Sequence, residues 1–251
     1  MKLKDSNFLK EISWKRFVAR KQSTSLVIIP SGACEVYGPH LPLGTDTLVA
    51  TKISELIADK IDSIIGPVLE VGDSRNLDEF PGTITIRPES FKQYMFDSVM
   101  SLKKWGFKDF LFMNTHLGNV PIITQISLEL QRDPAMRCAQ IDYWRLLKTL
   151  DKGIIESGDL AHAHASEAGT SVMMYLLPEL CDIENWINEP PKTTDSFPDI
   201  IKYPLFSSKT DSGTIGNATL ATVHKGEQLV DRSVNRIVEF LVKQWGYSAK
   251  Q

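Results

Sequence analysis

What constrains this chain most is the order in which apolar runs and helical spacings alternate. Leu26-Val27-Ile28-Ile29 is apolar at four consecutive positions, and Asp46–Ile61 then carries Leu48, Val49, Ile53, Ile57 and Ile61 at helical spacing. A strand with one wet face alternates polar and apolar residues; an unbroken apolar run is a strand covered on both faces. The pair recurs in "DFLFMN" (Asp109–Asn114) followed by helical spacing over Val120–Gln131. Ser25–Gly32, Ile64–Val71 and Arg137–Asp142 read as strands, and "FPGTITI" (Phe80–Ile86) as a turn and a further strand. Ser90–Trp105 reads as a helix stopped by Gly106, and Ala165–Leu177 and Lys225–Trp245 as two more helices. Strands alternating with helices predict an α/β fold with a mostly parallel central sheet covered on both faces. Ile187–Thr214, rich in Pro, Ser, Thr and Asp, reads as a long loop region reaching over a site.

The bulk numbers exclude several classes. With 251 residues, 42% hydrophobic and 24% charged, the chain has material for a sizeable core, and we expect one domain over residues 1–251. A net charge of −3 gives no general pull toward nucleic acid or an anionic membrane. The charged N-terminal stretch has no apolar core of signal-peptide type, and no run approaches the roughly 20 apolar residues of a membrane span. Three widely spaced cysteines, Cys34, Cys138 and Cys181, argue for a reducing cytoplasm over a disulfide framework.

Chemistry concentrates in loops. "SGACEVYGPHLPLGTDT" (Ser31–Thr47) packs Glu35, Tyr37, His40 and Asp46 around prolines and glycines directly after a buried strand, and "THLGN" places His116 directly after another. On a parallel sheet these are the carboxyl ends of strands, where ligands bind. His162 and His164 lie in "LAHAHASEAGTS" with Glu167, and His224 in "ATVHKGE". A carboxylate-plus-imidazole set suits Zn2+, Mn2+ or Fe2+ rather than a thiolate-bound structural zinc. Against this, a lone Asp46 at a helix start is ordinarily an N-cap, and a lone His is ordinarily a hydrogen-bonded structural residue. A cysteine hydrolase built on Cys34 and His40 is a further reading.

These stretches resemble the creatininase family. "IIPSGACEVYGPHLPLGTDT" is similar to that family's P-x-G-[ST]-x-E-Q-H-G-P-H-L-P-x-x-x-D, and "NTHLGN" to its N-G-H-G-G-N. "HASEAGTSVMM" resembles its H-A-G-E-x-E-T-S, "EFPGTITI" its F-P-G-T, and "GNATLATVHKGEQL" its closing K-G-E stretch; the matches run in order from Ile28 to about Val230. The resemblance implies a three-layer α/β/α fold, a divalent-metal hydrolase and a homo-oligomer, often a hexamer. It assigns Glu35, Asp46 and His116 as metal ligands, Glu167 as a fourth, and His164, Glu167 and His40 to catalytic positions.

The departures are specific. Tyr37 stands where the family has a metal-binding His, Gly169 where it has a Glu, and Gly118 where some members carry a second-metal Glu. A neutral phenol is a poor ligand near pH 7, so we expect one firmly held metal, zinc first and manganese or iron as alternatives, with a second and weaker one only if His40 or His164 substitutes. The expected chemistry is metal-activated water attacking a carbonyl, Tyr37 assisting the oxyanion and His164 or Glu167 moving the proton. The substrate is then a small cyclic amide or related C–N compound, with C–C ring opening of a cyclic keto-polyol, or a non-catalytic binding subunit, as alternatives. Arg75 and Asp78 are candidates for substrate contact or for solvated loop charges, Trp144 for a core, interface or pocket-wall residue, His162 for an exposed loop residue with a place in the site as the alternative, and His224 for a structural one.

Overall fold

The computed structural model describes residues 6–193, 195–197 and 199–250. In chain order the elements are α1 (Trp14–Ser23), β1 (Leu26–Ser31), α2 (Thr45–Lys60), β2 (Ile64–Ile65), α3 (Pro88–Lys104), β3 (Asp109–Asn114), α4 (Val120–Leu130), β4 (Arg137–Asp142), α5 (Tyr143–Lys148), α6 (Glu167–Leu176), β5 (Asn188–Glu189), β6 (Gly216–Asn217) and α7 (Val223–Trp245).

The main sheet has the order β2-β1-β3-β4 with every pair parallel. Alternate residues of β1 serve opposite cores. Leu26 and Ile28 pack with Val49, Ile53 and Ile57 of α2 and with residues of α6 and α7. Val27 and Ile29 pack with Phe91 and Met95 of α3 and Ile123 of α4. Both faces are therefore covered by helices, giving the three-layer α/β/α arrangement. The apolar runs of β1 and β3 are buried throughout, as a parallel sheet between two helix layers requires.

The five expected helices lie where the spacings put them, with no end shifted by more than two residues. Thr222 accepts from the backbone N–H of Lys225 at the start of α7, and Gly246 closes it at φ 75°, a left-handed value that Gly adopts at no steric cost.

Two expected strands are shorter than read. Only Ile64 and Ile65 of the Ile64–Val71 run join the sheet, because Pro67 has no N–H to give the ladder; Leu69 regains a single bridge to Ser31. "FPGTITI" is a turn with one antiparallel bridge, Ile84 to Cys34. The 187–214 region is largely irregular, as expected, and Asn188–Glu189 pairs antiparallel with Gly216–Asn217.

Register positions the chemistry. Ser31, Asn114 and Asp142 are paired across β1, β3 and β4. The three strands thus end level, and the segments bearing Glu35, His116 and Trp144 leave the same edge side by side.

Candidate metal centre

Glu35, Asp46 and His116 converge at that edge, with one potential ligand atom from each within 4.8 Å of the others; all three are buried. The loop after β1 folds back on itself, the Glu35 N–H donating to the Leu43 carbonyl at 2.8 Å. Gly32 lets α2 approach, since a Cβ there would stand 2.3 Å from the Thr47 backbone nitrogen. Asp46 consequently sits in the first turn of α2, where the helix dipole favours an anion. It does not cap the helix: Gly44 holds the cap position, and the Asp46 carboxylate turns into the cluster.

His116 decides what the cluster can hold. Its Nε2 lies 2.8 Å from the Asp73 carbonyl, which can only accept, so this nitrogen carries the proton. Its Nδ1 then presents a lone pair 3.2 Å from Asp46 Oδ2 and 3.4 Å from Glu35 Oε2. Three acceptors facing one point need positive charge between them. Without a cation that charge is a proton: burial pushes the His116 pKa down, but the two carboxylates and their hydrogen bonds carry it well above the usual value. For Glu35, burial pushes upward and His116, with His164, outweighs it, leaving the carboxyl below the ordinary range. Asp46 is raised, burial outweighing His116. A divalent cation satisfies the same demand and displaces the proton, so the donor set fits such an ion.

The supports of these ligands are equally definite. The Ser74 hydroxyl donates to Glu35 Oε2 at 2.6 Å, and the Trp144 indole N–H donates to Asp46 Oδ1 at 3.1 Å. Thr115 Oγ1 donates to the Asp46 carbonyl at 2.6 Å. Gly118 admits the Asp73 carbonyl beside His116, since a Cβ would stand 2.1 Å from that oxygen. Ser74 and Asp73 were not singled out by sequence reasoning. The available signal was "VGDS", a polar Gly-bearing stretch following an apolar run as the other two site loops do.

The cluster lies in a cleft of about 380 Å³ walled by Leu77, Trp144, Phe206 and Ile215. Tyr37 also lines it, its ring centroid 4.5 Å from that of His164. Burial, then the charges of Asp46 and Glu35, push the Tyr37 pKa well above 10, so the phenol stays neutral. His164 Nδ1 donates to the Gly213 carbonyl at 2.7 Å, which turns Nε2 toward Glu35 Oε1 at 3.4 Å. Phe206 packs edge-on against His164 at 4.9 Å, so part of the 187–214 segment does reach over the site.

Other expected residues stand elsewhere. Glu167 is fully buried behind the cleft, and its carboxylate accepts from Lys225 Nζ (2.6 Å), Ser157 Oγ (2.5 Å) and the backbone N–H groups of Glu156 and Ser157. Oxygens so occupied have nothing left for a cation, so Glu167 joins neither the ligand set nor the cleft wall. His40 is 1% exposed and bonded to Thr170 Oγ1 at 2.8 Å; burial lowers its pKa to about 4, and it too is outside the cleft. Cys34 has its thiol pKa raised by burial and by the charges of Glu35 and Glu70, the reverse of a reactive thiolate.

Arg75 chelates Asp73 through two 2.7 Å bonds and is largely solvated, and Asp78 is exposed. Trp144 belongs to the pocket. His162, expected to be exposed, is instead held by Asp151 at 2.7 Å and lines the cleft. His224, expected to be structural, is solvent-facing, its side chain 76% exposed.

Known proteins carry the same frame. The family model described as creatinine amidohydrolase matches residues 10–241. A creatinine amidohydrolase of Pseudomonas putida is 26% identical over 96% of this chain and 98% of its own length. A mycofactocin precursor peptide peptidase of Mycolicibacterium smegmatis is 25% identical over 88% and 85%, and a 3-dehydro-scyllo-inosose hydrolase of Thermotoga maritima 23% identical over 94% and 81%. Among solved structures, a creatininase in a Mn form and a mutant creatininase of Zn-Zn type each superpose with a TM-score of 0.84 at 24% identity, covering 96% of this chain and 99% of theirs. The five motifs, the level strand ends and a family match over nearly the whole chain agree, and the chain belongs to the creatininase family of metal-dependent amidohydrolases.

Proposed function

We propose that the chain hydrolyses a small, polar carbonyl compound at a C–N bond, a cyclic amide first among them, and that Glu35, Asp46 and His116 hold the divalent cation it uses. The observation that carries this is the His116 lone pair facing two buried carboxylates at 3.2 and 3.4 Å on the floor of a cleft. Glu35, Asp46 and His116 would hold the ion, which would supply a water acidic enough to attack near neutral pH. The protein's own groups divide the remaining work. The neutral Tyr37 hydroxyl donates to the carbonyl oxygen as it gains charge, and His164 Nε2, freed by the Gly213 contact, carries the proton from water to the leaving nitrogen. The C–O bond forms, the C–N bond breaks, and the amine leaves with that proton. Trp144 and Phe206 offer flat apolar walls to a ring.

The cleft size favours a small molecule over an extended peptide, and zinc is the preferred ion for a carboxylate–imidazole set, with manganese next. We extend the proposal to a single-domain chain that works as a homo-oligomer, a hexamer by resemblance, in the cytoplasm. The similarity to an inosose hydrolase supports a second reading, C–C ring opening of a cyclic keto-polyol, by the same attack on a carbonyl. The test is turnover of Zn2+- and Mn2+-loaded protein on creatinine and other cyclic amides, short peptides and cyclic keto-polyols. Ring opening of a cyclic amide that vanishes in D46N and H116A is expected. Turnover of keto-polyols alone selects the second reading, and amide turnover unchanged in both variants refutes the metal-centre reading.

A further inference from the structure

Asp46 has two carboxylate oxygens, and only one faces the cluster. Oδ2 is the atom beside His116, whereas Oδ1 accepts the indole N–H of Trp144 at 3.1 Å. Asp46 is almost wholly buried, 2% exposed. A carboxylate bridges two cations only when both of its sides are free to bind one, and here a fixed N–H covers one side.

We propose that this centre takes one divalent cation, and that the Trp144 indole closes the outer oxygen of Asp46 against a second, with the neutral Tyr37 supplying no ligand for one. The inference rests on reading Glu35, Asp46 and His116 as the metal site, and four further observations bear on it. Among the described residues the only group of three or more clustered potential ligands is that triad. Gly118 offers no ligand, and no side chain fits there without driving out the Asp73 carbonyl that orients His116. Gly169 offers none either, and the Tyr37 ring fills the space beside it. His40 is turned away to Thr170. The indole N–H of Trp144 thus occupies the carboxylate oxygen that a second ion would need.

The test is metal stoichiometry, read without turnover. The protein is stripped with chelator and titrated with Mn2+ alone, with bound metal measured by equilibrium dialysis and by electron paramagnetic resonance. One equivalent per chain is expected, with the spectrum of an isolated ion. Two equivalents, or the exchange-coupled spectrum of ions about 3.5–4 Å apart, overturns the proposal while leaving the triad reading intact. No binding overturns both. The double variant Y37H/W144F removes the indole donor and replaces the phenol with an imidazole; it is expected to bind a second Mn2+ at least ten-fold more tightly than the parent does. Unchanged stoichiometry in the folded double variant refutes the assigned role of these two side chains. Y37H alone, which keeps the indole N–H on Asp46 Oδ1, serves if the double variant does not fold: it is expected to bind a second Mn2+ no more tightly than the parent does, and a ten-fold gain refutes the role of Trp144.

Discussion

Tyr37 and Gly169 share one space: a Cβ built on Gly169 would stand 3.6 Å from both Cε1 and Oη of Tyr37. The two family positions that differ here, a His replaced by Tyr37 and a Glu replaced by Gly169, are thus neighbours, and the larger ring uses the room the missing side chain leaves. At 3.6 Å an alanine methyl makes ordinary van der Waals contact. Gly169 also lies within α6, where glycine costs roughly 0.5–1 kcal/mol relative to alanine. We expect G169A to raise unfolding free energy by about that amount with turnover retained. G169E, which drives a carboxylate into the ring, should lower it by on the order of 2 kcal/mol. Urea denaturation of the three proteins checks this.

Removing the Tyr37 hydroxyl should separate chemistry from binding. Y37F keeps the ring against His164 and loses only the donor. A donor to a developing oxyanion is worth about 100- to 1,000-fold in kcat. We expect a loss of that order with KM little changed and Zn2+ content unchanged; a mutant as fast as the parent would remove Tyr37 from the mechanism.

Ser74 should govern metal affinity. Its hydroxyl fixes Glu35 Oε2 at 2.6 Å, and loss of such an outer partner costs about 10- to 100-fold in affinity. S74A is expected to bind Zn2+ that much more weakly in a competition titration while retaining full activity at saturating metal.

Lys225 and Glu167 form a buried ion pair at 2.6 Å joining α7 to the start of α6, the Glu fully buried. K225M leaves that carboxylate without its cation, and such a change costs about 3–5 kcal/mol. K225M/E167Q removes the stranded charge and should recover part of the loss. A double mutant no more stable than K225M would show that the pair is not what holds the two helices.

His40 should make stability fall on mild acidification. Burial depresses its folded pKa to about 4 from 6.5, with Asp182 opposing weakly. The folded state therefore binds the proton less readily than the unfolded state. The contribution is complete above pH 6.5 and declines as pH falls from there toward 4, by on the order of 3 kcal/mol in total. H40Q, which cannot titrate, should flatten this part of the profile of unfolding free energy against pH. An equal slope in both proteins would assign the effect to other groups.

The sequence by itself determined the layered α/β architecture, because short unbroken apolar runs such as Leu26–Ile29, each followed by a stretch of helical spacing, read as strands covered on both sides. It also placed Glu35, Asp46 and His116 after strand ends, where such folds keep their chemistry. Local pattern could not go further. Glu167 and His40 carry the right chemistry at resembling positions, yet one is taken by Lys225, 58 residues away, and the other by Thr170, 130 residues away. Ser74 lies 39 residues from Glu35, and Trp144 98 from Asp46. A side chain's role depends on which donors or acceptors reach it first, and those partners are brought together by the register of β1, β3 and β4 and the packing of α2, α6 and α7. Periodicity records burial along one element; it holds no record of which residue of another element arrives opposite.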